Sequence, residues 1–475
     1  TVEYGDLNTA FSSTSYELIV AGTTTIGPAS GAADQATLTC NASTVSLGTT
    51  RQQGDYALNI EQGGTFVGGT GTHTVGSLYM AQSANAKATM TTAVMTINGY
   101  NNSANKAWRV EYGGDTFDNA NGTVRFNFNG FDTRMSMRSE SHANNAFHNL
   151  IIQMNGDTRT LSIDNGTDVK VDNDLTVSRG VLNAGSNHNL EVVGHVDVGT
   201  DSEVSNLKFT STSTKTATFK SILIGANGTY EATSGTTTLK GEHTNGFAWY
   251  NNGTFTDNDG TVTIGDGSTS IGTTHIFENR FHHLIINRDA ENVNTVWRDV
   301  SGNTLTIDGN LTMTKGFFYR NTVTDTLTVT GDVDIAANGR LGLTADTGAN
   351  NFGSLTIASG GAYYATSETT TINNETSDLS LSNAGTFTHN NGTLAITSQQ
   401  NSGIKTGSSK LYNLLINAVG VNTIYIENDT EILNDFTITT GRVRAHNVAG
   451  STNYALTVRG NTLVTYHTLD LKDTN

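Results

Sequence analysis

Two short groups in this 475-residue chain carry residue types that chemistry on a sugar or a metal ion needs. The first is Asp289, Glu291, Trp297, Arg298 and Asp299, where acids lie close to an indole. Glycoside cleavage uses an acid and a base or nucleophile flanking one bond, and an aromatic face can hold the sugar ring. Elsewhere Glu111 and Asp115 form the one other loose acid pair. Trp297, Arg298 and Asp299 are read as a weak sugar-binding patch, against the plainer alternative of a solvated loop. The second group is DNDG at 257–260, which begins like a calcium loop but lacks the Asp-x-Asp-x-Asp-Gly series with a distal Glu. Its counterparts read DNAN at 118–121 and HNN at 389–391, and positions that accept Asp, Asn or His fit Asx turns. Phosphate loops, nucleophile elbows and HExxH are missing from the sequence. The expectation is therefore a non-enzymatic chain with no catalytic residue, metal or cofactor.

The histidines lead to the elements that would position them. His148, His282 and His283 belong to a heptapeptide written three times, as FHNLIIQ from Phe147, FHHLIIN from Phe281 and LYNLLIN from Leu411. The third copy carries Tyr412 and Asn413 instead, so no metal duty recurs with the copies. The three starts are almost evenly spaced, and other motifs keep the same order around them. DNDLTVSRGVL from Asp172, DGNLTMTKGFF from Asp308 and LNDFTITTGRV from Leu433 follow the heptapeptides. GTYEATSGTTTL from Gly228 returns as GAYYATSETTTI from Gly361. Trp108 and Trp249 sit at matching positions, which favours packing over ligand stacking. The chain is a tandem repeat of about 130 residues.

Within a copy, Leu305, Ile307, Leu311 and Met313 alternate with polar residues and are interrupted by Asp308 and Gly309. Period two with turn residues between short runs means strands with one buried face. A single proline, Pro28, agrees with a chain that is almost all paired strand. Strands this short stack most readily as rungs of a parallel β-solenoid, an all-β fold, of roughly 20 residues per rung, with the heptapeptide returning about every sixth rung. Leu150 with Ile152, Leu284 with Ile286, and Leu414 with Ile416 then point inward. Ile151, Ile285 and Leu415 point outward, either under a neighbouring loop or as an apolar stripe that packs on another copy of the chain.

The LTI/LTV-turn-LTV cadence at Leu305 to Ile307, Leu311 to Met313 and Leu327 to Val329 resembles the right-handed β-helix fibre and tailspike proteins of bacteriophages, and the similarly built repeats of bacterial surface adhesins. The resemblance covers about residues 76–475 and implies a surface part of a virion or cell, often trimeric, that holds or forms a receptor-binding face. Residues 1–75, with the proline and Cys40, are expected to be a cap or attachment region. Residues 76–475 are expected to be solenoid, with units at about 147–280, 281–410 and a partial 411–475. The formal charge of −17 opposes nucleic acid, one cysteine excludes an intrachain disulfide, and no apolar run approaches a membrane span. The resulting expectation is a homo-oligomeric fibre subunit at a virion or extracellular surface, with a host glycan among its partners. The alternatives are a cell-surface adhesin or head-to-tail filament subunit, and a tailspike-like depolymerase.

Overall fold

The computed structural model describes residues 5–8, 17–27, 35–49, 54–81, 83, 85–111, 117–137, 145–164, 168–269, 272–298, 304–376, 378–446 and 452–471. Among them every regular element is a strand, and the fold is a parallel β-solenoid of about 17 turns with about 24 residues per turn. The chain divides into two compact units, residues 1–237 with 251–258, and residues 238–250 with 259–475.

Each turn carries three strands, one on each side of the coil. In the first unit, one side stacks Leu47, Val75, Ile97, Phe126, Ile152, Val177, Val198 and Ile224 in register through eight rungs. All eight are 0% exposed. Burying such a side chain contributes roughly 1.5–3 kcal/mol, so an unbroken inward column is the main source of stability. The outward residues of the same strands are Ser46, Thr74, Thr96, Arg125, Ile151, Thr176, Asp197 and Leu223. The alternation is the period-two signal of the sequence turned into two faces.

The same ladder starts with Glu17–Val20 paired to Thr44–Leu47, and Gly5–Asn8 pairs with Ala36–Thr39 on another side. Coiling therefore begins well before residue 75, and the boundary expected there coincides with no change in pairing.

In the second unit, the column through the second heptapeptide runs Ile264, Ile286, Met313, Ile335, Ile357 and Asn383. The column through the third runs Phe281, Ile307, Val329, Phe352, Ile372, Ile396, Ile416, Ile438 and Val464. These are different sides of the coil. From Leu284 the ladder passes through Leu311, Val333, Leu355 and Leu381 to Ile404, five turns in all. Leu414 lies ten residues further on, at the next side. The rung is longer than the spacing of motifs suggests, and the second heptapeptide leads to the third by five turns and about one side rather than by six turns.

One glycine shows why the copies keep their corners. Gly180, Gly316 and Gly441 each follow an LTV-type strand by the same spacing and have φ of 86°, 106° and 95°. A side chain is strained there, so the chain turns at this point in all three copies.

Candidate functional site

Phe147, Phe281 and Leu411 open the heptapeptides and are buried, as are the inward pairs that follow them. Trp108 packs on Phe147 with ring centroids 5.3 Å apart, and Trp249 packs on Phe281 at 5.4 Å. Both indoles are 0% exposed. The matching tryptophans are core residues.

Trp297 is also inside, 1% exposed, with its indole Nε1 donating to the Glu278 carbonyl at 2.9 Å. Its ladder partners, Ile276 and Arg320, cover it from the adjacent turns. No ring face is left for a sugar. Arg298 points outward, donating to His275 Nδ1 at 3.1 Å and lying 5.8 Å from the centre of the Phe277 ring. Asp299, like Asp115, falls outside the described residues. Among the other acids, Glu291 pairs with Arg340 at 3.4 Å, and Glu111 pairs with Arg109. The expected patch is thus one buried indole and one engaged guanidinium. The alternation that aims Val296 and Trp297 inward is disturbed at this strand, where three consecutive residues, Thr295 to Trp297, are buried.

Ile151, Ile285 and Leu415 are half-buried. Ile151 lies between Arg125 and Thr176, Ile285 between Thr263 and Thr312, and Leu415 between Ala395 and Thr437. Within the second unit Ile285 and Leu415 stand on different sides of the coil, so they do not join into one stripe.

The acidic turns have a common backbone. Ala120 and Asn121, Asn258 and Asp259, and Asn390 and Asn391 all have left-handed φ, between 46° and 59°. Asp118 Oδ1 accepts the Ala120 amide at 2.8 Å, and His389 Nδ1 accepts the Asn391 amide at 3.0 Å. In the first and third copies, side chains at these positions hold the turn.

The corner before each LTV-type strand holds a second repeated device. Asn149 Oδ1 accepts Asn173 Nδ2 at 2.8 Å and the Asp174 amide at 3.4 Å. Asn413 Oδ1 accepts Asn434 Nδ2 at 2.9 Å and the Asp435 amide at 3.2 Å. In the middle copy His283 replaces the asparagine, and its Nδ1 accepts the Asn310 amide at 2.9 Å. Asp174, Asn310 and Asp435 each pass the pattern on, accepting the amides of His195, Asp332 and Asn461 at 2.8, 3.0 and 3.0 Å. Gly309 takes the place of Asn173 and Asn434, and a Cβ there would lie 2.4 Å from the His283 ring. The larger imidazole and the missing side chain are one paired change.

A third cluster, not anticipated from the sequence, lies in the core of the second unit. Arg320 and Asp346, with side chains 4% and 0% exposed, form an ion pair at 3.4 Å. The guanidinium also donates to the Asp325 carbonyl and to Asn350 Oδ1. Asn350 Nδ2 donates to the Tyr363 hydroxyl at 2.8 Å, and that hydroxyl meets Thr370 Oγ1 at 2.9 Å. Burial raises the Asp346 carboxyl above its ordinary value, opposed by Arg320 and the Leu343 amide. Burial also pushes the Tyr363 phenol up to about 12. Trp297, Leu305, Phe318, Leu327 and Leu341 line a void of about 10 Å³ beside these groups. That is room for roughly one water, not for a substrate.

The corresponding place in the first copy holds Ala184, Ser213 and Ala217, all 0% exposed. The Ser213 amide donates to the Thr210 carbonyl as the Asp346 amide donates to the Leu343 carbonyl, at 2.9 and 3.1 Å. Only the Tyr230–Thr237 hydroxyl pair, at 2.8 Å, is shared. Three small residues have been exchanged together for a hydrogen-bonded charged network, a change visible once the copies are aligned. Comparison with protein-family models, with curated proteins and with solved structures yields no match.

Proposed function

We propose that the chain is a non-enzymatic structural subunit of a surface fibre, virion-borne in the preferred reading, that contributes to adhesion to a host surface. The observation that carries this reading is the division of labour along each strand. Inward positions form apolar columns buried through successive rungs, while outward positions are mostly Thr, Ser, Asn and Asp. Such ladders give stiffness without disulfides and present many weak polar contacts, which suits multivalent attachment. The Asp346 carboxylate, paired with Arg320, is locked in the core rather than aimed at an opening.

Labelled protein is tested for binding to intact host cells and to cells stripped of surface glycan, together with the viscosity of the released polysaccharide. Saturable binding without loss of viscosity is expected. Falling viscosity would replace the fibre with a depolymerase, and absence of binding would remove the adhesive role.

A further inference from the structure

We infer that His283 makes one corner of the middle copy sensitive to acid: the neutral imidazole holds the Asn310 amide, and protonation releases that amide from the turn beneath. This inference does not rest on the fibre reading.

The Asn310 N–H donates to His283 Nδ1 at 2.9 Å, so that nitrogen carries a lone pair and the ring proton sits on Nε2. An imidazolium has no lone pair to offer, and two N–H groups would then face each other. Asn149 and Asn413 do the same work with an amide oxygen, which no accessible pH alters. At this one position the acceptor is an amide oxygen in two corners and a titratable imidazole in the third.

The charged surroundings sharpen the response. His282 stands edge-on to His283, with ring centroids 4.4 Å apart, and its Nδ1 is 3.4 Å from Asp259 on the preceding turn. Asp308, on the following turn, is engaged by Arg280 at 2.6 Å, and Asp332 lies one turn further, held through Asn310. Burial and His282 lower the His283 pKa below its ordinary 6.5, with Asp259 opposing them. The fold therefore favours the neutral ring. Its stabilisation is complete above the ordinary imidazole range and is lost as pH falls through the lowered value.

Gly309 makes the release local. It has no side chain to anchor the corner, whereas Asn173 and Asn434 add a second hydrogen bond in the other copies. The corner is then held to the preceding turn by the imidazole bond, by the Leu284 amide to the Asn310 carbonyl at 3.1 Å, by the Gly309 amide to the His282 carbonyl at 2.7 Å and by the Asp308 amide to the Phe281 carbonyl at 3.0 Å.

Hydrogen exchange by mass spectrometry at about pH 7.5 and about pH 5, corrected for intrinsic rates, reads all three corners in one sample. Protection of the peptide containing the Asn310 amide is expected to fall about two- to tenfold on acidification relative to residues 173–175 and 434–436, as loss of one part-buried hydrogen bond implies. His283→Asn is expected to abolish the difference. Equal pH responses at the three corners, or an unchanged response in the variant, would overturn the inference. Should the variant fold poorly, the three-corner comparison in the natural protein still decides it.

Discussion

The pairing of His283 with Gly309 predicts a compensated substitution. Gly309→Asn restores the residue found at Asn173 and Asn434, at a position that needs no positive φ. Its Cβ would nonetheless lie 2.4 Å from the His283 ring. If the ring stays, overpacking costs about 1–3 kcal/mol. If the ring swings aside, the part-buried Asn310 amide loses its acceptor, which costs about 0.5–1.5 kcal/mol. Either route gives a loss of about 1 kcal/mol or more. Combining it with His283→Asn removes the clash and recreates the pair seen between Asn149 and Asn173, so the double variant should return close to natural stability. A thermal melt is a poor assay for this. At about 2 cal/mol/K of unfolding entropy per residue, a chain of this length shifts its midpoint by only about 1 °C per kcal/mol. Exchange of the amides over residues 308–311 changes about tenfold per 1.4 kcal/mol and reads the corner directly. A single variant that exchanges like the natural protein, or a double variant as labile as the single one, would refute the reasoning.

Other expectations follow from the same geometry. Arg320→Ala strands the Asp346 carboxylate in the core and should cost about 3–5 kcal/mol, while adding Asp346→Ser and Asn350→Ala to it, as in the first copy, should recover much of the loss; urea unfolding followed by circular dichroism reads both. Tyr363→Phe should cost more than Tyr230→Phe, by roughly 1 kcal/mol, because only Tyr363 also accepts Asn350 Nδ2. Cys40 is buried and its thiol is pushed up to about 12 by that burial, so a thiol reagent at about pH 8 should label it only after denaturant is added. Trp108, Trp249 and Trp297 are all buried, so acrylamide should quench their fluorescence weakly and added polysaccharide should leave the emission maximum unmoved.

Much of the fold can be read directly from alternation. Leu284 and Ile286, or Leu305 and Ile307, declare their buried face through period two, and the tandem motifs declare stacking. The path around the coil is not legible in the same way. Lengthening the rung to about 24 residues changes nothing in any single strand, yet it decides that Ile285 and Leu415 face different directions. Corner length is set by polar loops whose sequences carry little periodicity, and the coils before residue 75 hide for the same reason. At Trp297 the signal misleads, because a strand with three successive buried residues breaks the alternation that assigns faces. The Arg320 network was hidden among ordinary strand residues. Its trace lies between copies, in the joint replacement of Ala184, Ser213 and Ala217.

The three-sided coil is tested most directly by neighbouring cysteines. Adjacent rungs place Cα atoms about 4.8 Å apart, within the span of a disulfide. Ile285 is the ladder partner of Thr312, and Leu415 that of Thr437. Paired cysteines at 285 and 312, and at 415 and 437, should close an internal disulfide under mild oxidation, whereas 285 with 415 should not. Closure between 285 and 415, or failure of both neighbouring pairs in folded protein, would contradict the coil as described.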